Sequence, residues 1–184
     1  MSHKSDYLYD LELTYNKKKL QEEIEDLDLE PYFKDNPNKD SWFAGPESWL
    51  TADIPENPNT EIDKVRKQLS ELLGTKSLDM IVLFQRANTS VPVHTDKVSK
   101  KLLNLSGSEA IQCGVNIQLN DTIGPVNFPN FGLITYECAL LNIMEEHGVP
   151  EFPTDRLIIK FRILDVSYKE ALNNYLETKQ KGYY

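Results

Sequence analysis

The sequence has few of the features that mark whole classes of protein. Its 184 residues include two cysteines, Cys113 and Cys138, which are too few for a disulfide framework and favour a reducing compartment. No apolar run approaches the length of a membrane span. The polar N-terminus has no apolar segment of the kind found in secretory signals. These absences predict a cytoplasmic protein that does not enter a membrane.

An excess of positive charge is also missing. The chain carries 20 Lys and Arg against 29 Asp and Glu, which gives a formal net charge of −9. The electrostatic field of this negative charge repels a phosphate backbone, so a nucleic-acid partner is not expected. The basic run at 97–101 is interpreted as a solvated loop. The length and the hydrophobic content of 40% fit one domain, 1–184, with a substantial core.

The first part of the chain, 1–77, is predicted to hold helices and an aromatic loop. Residues 16–27 place apolar side chains at helical spacing, and 60–74 do so more strongly, with Thr60 as a cap and Gly74 as a stop. The proline-rich segment 31–58 predicts an ordered loop that buries its aromatic residues, Trp42, Phe43 and Trp49.

From Leu78 onward the sequence changes to short β-like runs. Residues 80–84 form an apolar run, and 110–119 alternate apolar with polar side chains. Further strands are expected at 126–128, 137–144 and 157–163, and a C-terminal helix is expected from Ser167. Strands at this spacing favour a barrel or sandwich over a parallel sheet. We therefore predict a mainly β fold, a double-stranded β-helix (jelly roll, cupin-like) spanning 78–166, with flanking helices and the C-terminal helix at 167–184.

Two of the three histidines lie in a pattern that suits a metal ion. His94 and Asp96 are two residues apart, so in an extended segment their side chains point to the same face. His147 follows 53 residues later, which leaves room for several strands to return it to the same place. Two imidazoles and one carboxylate form the facial triad of non-haem Fe(II) oxygenases. The third histidine, His3, has no partner in the sequence.

An arginine, Arg156, comes nine residues after His147, at the head of the predicted last strand. The planar fork of a guanidinium can bind both oxygens of a carboxylate. A keto acid that chelates the metal at one end needs such a cation at the other. Arg162 lies on the same face of that strand and is the alternative candidate.

With these residues the chain resembles the Fe(II)- and 2-oxoglutarate-dependent oxygenase superfamily over roughly residues 80–164. The gap from His147 to Arg156 is most similar to the prolyl-hydroxylase and aspartyl/asparaginyl β-hydroxylase branches. The resemblance implies that His94, Asp96 and His147 are the iron ligands and catalytic residues, and that Arg156 binds the distal carboxylate of 2-oxoglutarate. Prolyl hydroxylases often supply a tyrosine hydroxyl to that co-substrate, from a place where this chain has Phe84. Two polar residues of the 110–119 strand either hold the co-substrate or lie on the surface, namely Gln112 and Asn116.

The resemblance implies a dioxygenase that hydroxylates a C–H bond and releases succinate and CO2. Its cofactors would be Fe(II) and the co-substrate 2-oxoglutarate. Its substrate would be a protein or peptide side chain or a small amino-acid-like molecule. Two alternatives stay open, a cupin-like jelly roll that binds a metal or ligand without turnover and an interaction module with structural histidines. Only the oxygenase requires a cation such as Arg156 aimed into the metal pocket.

Overall fold

The computed structural model describes residues 3–31, 48–96 and 111–182. Among these residues, no helix has the length and apolar character needed to cross a bilayer. The elements in chain order are a 3-10 helix (Lys4–Asp6), β1 (Leu8–Asp10), α1 (Lys17–Ile24), β2 (Glu30–Pro31), β3 (Trp49–Asp53), α2 (Glu61–Leu73), β4 (Leu78–Gln85), β5 (Val91–His94), β6 (Cys113–Gln118), β7 (Pro125–Phe128), β8 (Gly132–Thr135), β9 (Cys138–Leu141), β10 (His147–Val149), β11 (Arg156–Ile163) and α3 (Tyr168–Gln180).

The strands form two antiparallel sheets. The larger sheet has seven strands in the order β1-β9-β6-β11-β4-β3-β2, and the smaller has four in the order β5-β10-β7-β8. The longest paired stretch joins β11 to β4 and runs from Arg156 opposite Gln85 to Ile163 opposite Leu78. This mainly β, jelly-roll architecture with flanking helices confirms the predicted fold class.

The larger sheet is apolar on both faces, but each face has a different neighbour. One face packs against the helices, where β11 contributes Ile159, Phe161 and Ile163 to a core shared with α1, α2 and α3. The other face meets the smaller sheet, where Ile158 joins a second apolar cluster with Trp49, Ile81, Leu83 and Val91. Because side chains alternate along a strand, Arg156, Ile158, Lys160 and Arg162 all lie on this second face.

The two longer helices begin and end largely where the sequence predicts. The Thr60 hydroxyl accepts a hydrogen bond from the Asp63 amide, and Gly74 ends α2 in the left-handed region at φ 70°. Ser167 and Glu170 form a complete capping box at the start of α3. At α2 only the Thr60 half of such a box forms, because the Asp63 carboxylate pairs with Arg66 and Lys67 and not with the Thr60 amide.

The start of α2 is also held by α1. The two carboxylate oxygens of Glu23 accept hydrogen bonds from the amides of Glu61 and Ile62, at 2.6 and 2.9 Å. These amides have no partner within the helix, so the carboxylate satisfies two of its end groups and complements the helix dipole.

We expect Glu23→Ala to lower the free energy of unfolding by about 0.5–2 kcal/mol, the range found for lost helix caps. Chemical denaturation would measure the change. Glu22→Ala is the matched control on the same helix, because its ion pair with Lys18 is exposed and such pairs contribute little. Equal effects of the two substitutions would contradict the capping role.

The N-terminal part contributes more strand than the sequence predicts. β1, β2 and β3 all precede Leu78 and belong to the larger sheet, so the prediction of only helices and a loop before residue 78 is wrong. Trp49 is buried in β3 and not in a loop, because that strand pairs with β4. Trp42, Phe43 and the basic run at 97–101 lie outside the described residues.

Candidate metal centre and cleft

His94 and His147 meet because their strands pair. His94 ends β5, His147 begins β10, and the two residues are directly opposite in the antiparallel register. Opposite residues share a face of the sheet, and the two ring centroids are 4.6 Å apart. This pairing brings together two residues that are 53 positions apart in the sequence.

Gly148 allows β5 and β10 to lie close together. Gly148 lies inside the strand, and a Cβ built there would be 3.0 Å from the backbone oxygen of Val91. A glycine therefore allows β5 to approach β10 closely. This close approach sets the two imidazoles side by side.

Asp96 completes the cluster. It lies just past the end of β5, where its amide donates a hydrogen bond to the carbonyl of Ile143 at 3.0 Å. Asp96 Oδ1 is 3.1 Å from His94 Nε2 and 3.8 Å from His147 Nε2. One ligand atom from each of the three residues lies within 4.8 Å of the others. Two imidazole nitrogens and a carboxylate oxygen suit Fe(II) and related divalent ions.

The backbone orients both imidazoles. His94 Nδ1 lies 2.8 Å from the Pro92 carbonyl, and His147 Nδ1 lies 2.9 Å from the Glu145 carbonyl. A carbonyl accepts a hydrogen bond, so each Nδ1 carries the proton and each Nε2 presents its lone pair to the cluster. Histidines that bind a metal usually donate their other ring N–H to a carbonyl in this way.

Electrostatics hold the groups in the protonation states that a metal needs. Burial alone would raise the pKa of Asp96, but the Lys160 ammonium, together with the polar contacts to His94 and His147, holds that pKa well below its ordinary value. Burial lowers the pKa of His147, although the Asp96 carboxylate opposes the shift. An ionised carboxylate beside a neutral imidazole is ready to bind a metal without first losing a proton.

Lys160 is a site residue that sequence reasoning missed. Its Nζ lies 2.9 Å from Asp96 Oδ2, and its side chain is largely buried. The available signal was its position on the strand, since residues 156, 158, 160 and 162 share a face. A lysine side chain is rarely buried without a partner of opposite charge. A lysine on the inward face of a buried strand therefore indicates an ion pair.

Arg156 lies in the same cleft and is 1% exposed. Its guanidinium donates to Gln85 Oε1 and to the carbonyls of Pro125 and Gly124, at 3.2 to 3.3 Å. All of these acceptors are neutral, and within the described residues no carboxylate pairs with Arg156. Burial lowers the pKa of the guanidinium, and Tyr136 opposes that shift. An arginine stays protonated in proteins, so the cleft contains a buried positive charge that lacks a counterion there.

A tyrosine hydroxyl does reach this end of the cleft, but from a different strand than the one expected. Tyr136 lies between β8 and β9, lines the cleft beside Arg156, and its hydroxyl accepts a hydrogen bond from Asn116 Nδ2 at 3.0 Å. Phe84 does not line the cleft and instead lies under the guanidinium of Arg86. No sequence pattern indicated Tyr136, because β8 itself was not predicted.

Of the other predicted site residues, one lines the cleft and two do not. Asn116 lines the cleft with the triad and Arg156. Arg162 forms a bidentate ion pair with Asp79, with both distances 2.7 Å, and lies away from the cleft. Gln112 precedes β6, and its amide donates to the carbonyl of Ile163. It is not among the described residues that line the cleft. The structure thus brings five of the predicted residues together, His94, Asp96, Asn116, His147 and Arg156.

Comparisons with known proteins bear on the fold. The sequence matches no protein-family model and no curated protein. A viral collagen prolyl hydroxylase from Paramecium Bursaria Chlorella virus-1, solved with 2OG, is 13% identical with a TM-score of 0.58, and the match covers 87% of this chain and 97% of that one. An oxidoreductase of the 2OG-Fe(II) oxygenase family from Burkholderia pseudomallei is 10% identical with a TM-score of 0.50, and the match covers 83% and 80%. The chain therefore has the jelly-roll fold of the 2-oxoglutarate-dependent Fe(II) oxygenases.

Proposed function

We propose that this protein is an Fe(II)- and 2-oxoglutarate-dependent dioxygenase that hydroxylates a C–H bond, with succinate and CO2 as co-products. Residues 1–184 would form a single oxygenase-like domain. The observation that carries the proposal is one cleft that holds both a two-histidine, one-carboxylate cluster and a buried arginine without an acidic partner among the described residues. The shared fold makes the arrangement compatible with this chemistry.

The donor set fits Fe(II). His94 and His147 would bind through Nε2 and Asp96 through Oδ1, because these atoms face one another while each Nδ1 is held by a carbonyl. When bound, the iron would supply the activation of O2 that no amino-acid side chain can perform. The protein would supply the geometry, a cleft with an apolar wall and the charges that hold the co-substrate.

Arg156 would bind the far carboxylate of 2-oxoglutarate. A buried cation with only neutral acceptors gains a strong interaction from an anion, because attraction is larger away from water. Tyr136 would add a hydroxyl beside the guanidinium, and Asn116 would orient that hydroxyl through its hydrogen bond. The pairing also explains why Arg156 and the triad lie in the same cleft, since one keto acid would contact both.

For the substrate, we propose a protein or peptide side chain or a small amino-acid-like molecule. Proline-containing peptides would be tested first, because the viral protein with the same fold is described as a collagen prolyl hydroxylase.

The test is an anaerobic titration of the protein with Fe(II) and then with 2-oxoglutarate. We expect the weak visible charge-transfer band of an iron–keto acid chelate to develop and saturate. Iron uptake without the band would favour a cupin-like metal site that does not use 2-oxoglutarate. No iron uptake by the folded protein would overturn the proposal and leave the histidines with a structural role.

Gly124 gives a separate test of the Arg156 assignment. A Cβ at Gly124 would lie 2.5 Å from Arg156 Nε and 2.9 Å from Cζ, so Gly124→Ala must displace the guanidinium. We expect this variant to bind Fe(II) as the wild type does but to need about ten-fold or more 2-oxoglutarate for half of the band intensity, about 1.4 kcal/mol or more. Gly182→Ala is the control, because its added methyl would meet no described atom within 4 Å and the residue follows α3, away from the cleft. Equal 2-oxoglutarate requirements in both variants would contradict the assignment.

A further inference from the structure

The two oxygens of the Asp96 carboxylate face different partners. Oδ1 lies towards the imidazoles, 3.1 Å from His94 Nε2 and 3.8 Å from His147 Nε2. Oδ2 lies 2.9 Å from the ammonium of Lys160. A carboxylate that binds a metal through both oxygens would have to turn Oδ2 away from this lysine.

Lys160 is placed for this contact by the sheet. It lies in the middle of β11, opposite Asn116 of β6, on the face that also carries Arg156. Its Cε would lie 3.5 Å from a Cβ built at Gly114, so the aliphatic stem passes over a residue without a side chain. The lysine is 8% exposed, and a buried ammonium needs a partner of opposite charge.

We propose that Lys160 is a positioning residue that keeps Asp96 a monodentate ligand and thereby preserves an open coordination position on the metal. The proposal rests on the metal centre described above. In an octahedral ion, two histidines and one carboxylate oxygen leave three positions, which are enough for a chelating keto acid and O2. A carboxylate bound through both oxygens would leave two positions, and the keto acid and O2 would then compete.

Two variants test this proposal. Lys160→Met keeps the length of the side chain but removes its charge and its hydrogen-bond donors, and Lys160→Arg keeps the charge and the donors. Lys67→Met is the matched control, because it also removes a lysine–aspartate pair, with Asp63 at 2.7 Å, but on the surface of α2. Each protein is titrated with Co(II) and then with 2-oxoglutarate, without O2, and the visible absorption of Co(II) reports its coordination.

We expect every variant to bind Co(II). In Lys160→Met the second Asp96 oxygen should replace a water ligand and change the Co(II) spectrum. The apparent Kd for 2-oxoglutarate should rise about ten-fold or more, comparable to the loss of metal affinity or activity when a residue that orients a metal ligand is removed. Lys160→Arg should restore both properties, and Lys67→Met should match the wild type. This split between retained metal binding and weakened keto-acid binding is not expected from a lysine that only supports the fold.

Three results would overturn the inference. They are an unchanged spectrum and Kd in Lys160→Met, a parallel loss of Co(II) and 2-oxoglutarate binding in that variant, or a crystal structure of the Co(II)-loaded wild type with both Asp96 oxygens on the metal. The crystal structure requires no variant, so the inference stays testable if Lys160→Met does not fold. Failure of the wild type to bind Co(II) would instead overturn the metal centre itself.

Discussion

Replacing Asp96 by alanine should abolish Fe(II) binding and, with it, substrate-dependent succinate formation. Asp96 is the only acidic member of the cluster that the described residues form, and it supplies the negative charge that a divalent ion needs between two neutral imidazoles. Second-shell changes cost about 10–100-fold in metal affinity or activity, so loss of a ligand should exceed about 100-fold. Iron binding and succinate release would both be measured.

The stability of this variant must be followed, because Asp96 is also the partner of Lys160. Breaking a buried ion pair by removing one partner costs about 3–5 kcal/mol. Asp96→Asn keeps the shape and an acceptor for the lysine, so it should fold better and yet bind iron poorly. Asp79→Ala is the control, because it breaks the Arg162 ion pair on the same face of the sheet and touches no proposed ligand. Full succinate formation by Asp96→Ala would refute the metal assignment.

Local patterns predicted the elements that local interactions decide. The helix at Glu61–Leu73 follows from apolar spacing, a threonine cap and a glycine stop. The alternation along β6 placed Cys113, Val115 and Ile117 on one face and Asn116 on the other. The structure has the first three in the core and Asn116 in the lining of the cleft. In each case the side chain's environment is set by the period of its own element.

Long-range pairing decided what the sequence did not predict. Trp49 lies in a segment rich in proline, yet it forms a strand because β4 offers an unpaired edge. Tyr136 reaches Arg156 from the residues between β8 and β9, and no local pattern indicated β8. Lys160 looked like one polar residue in a weakly alternating strand, and its role depends on Asp96, 64 residues away. The expected triad was visible because the i and i+2 spacing in a strand is itself a local signal.

The two arginines of β11 offer a paired experiment on co-substrate binding. Arg156 donates to neutral oxygens in the cleft, whereas Arg162 is already paired with Asp79. We expect Arg156→Met to raise the 2-oxoglutarate concentration for half-maximal chelate formation by at least about 30-fold, the lower end of the 2–5 kcal/mol for truncating one partner of a buried charge pair. The requirement for Fe(II) should stay the same. Arg162→Met should change neither requirement, and a reversed result would move the carboxylate site to Arg162.

A keto acid without a distal carboxylate makes this test specific for the proposed contact. Pyruvate can chelate a metal through the same keto-acid end but has nothing to offer a guanidinium. Wild-type protein should therefore prefer 2-oxoglutarate by at least about 30-fold, and Arg156→Met should bind the two acids with similar affinity. General damage to the cleft would weaken both acids equally and leave the preference intact. Because the comparison is a thermodynamic cycle between one side chain and one ligand group, it isolates their interaction from the cost of the substitution.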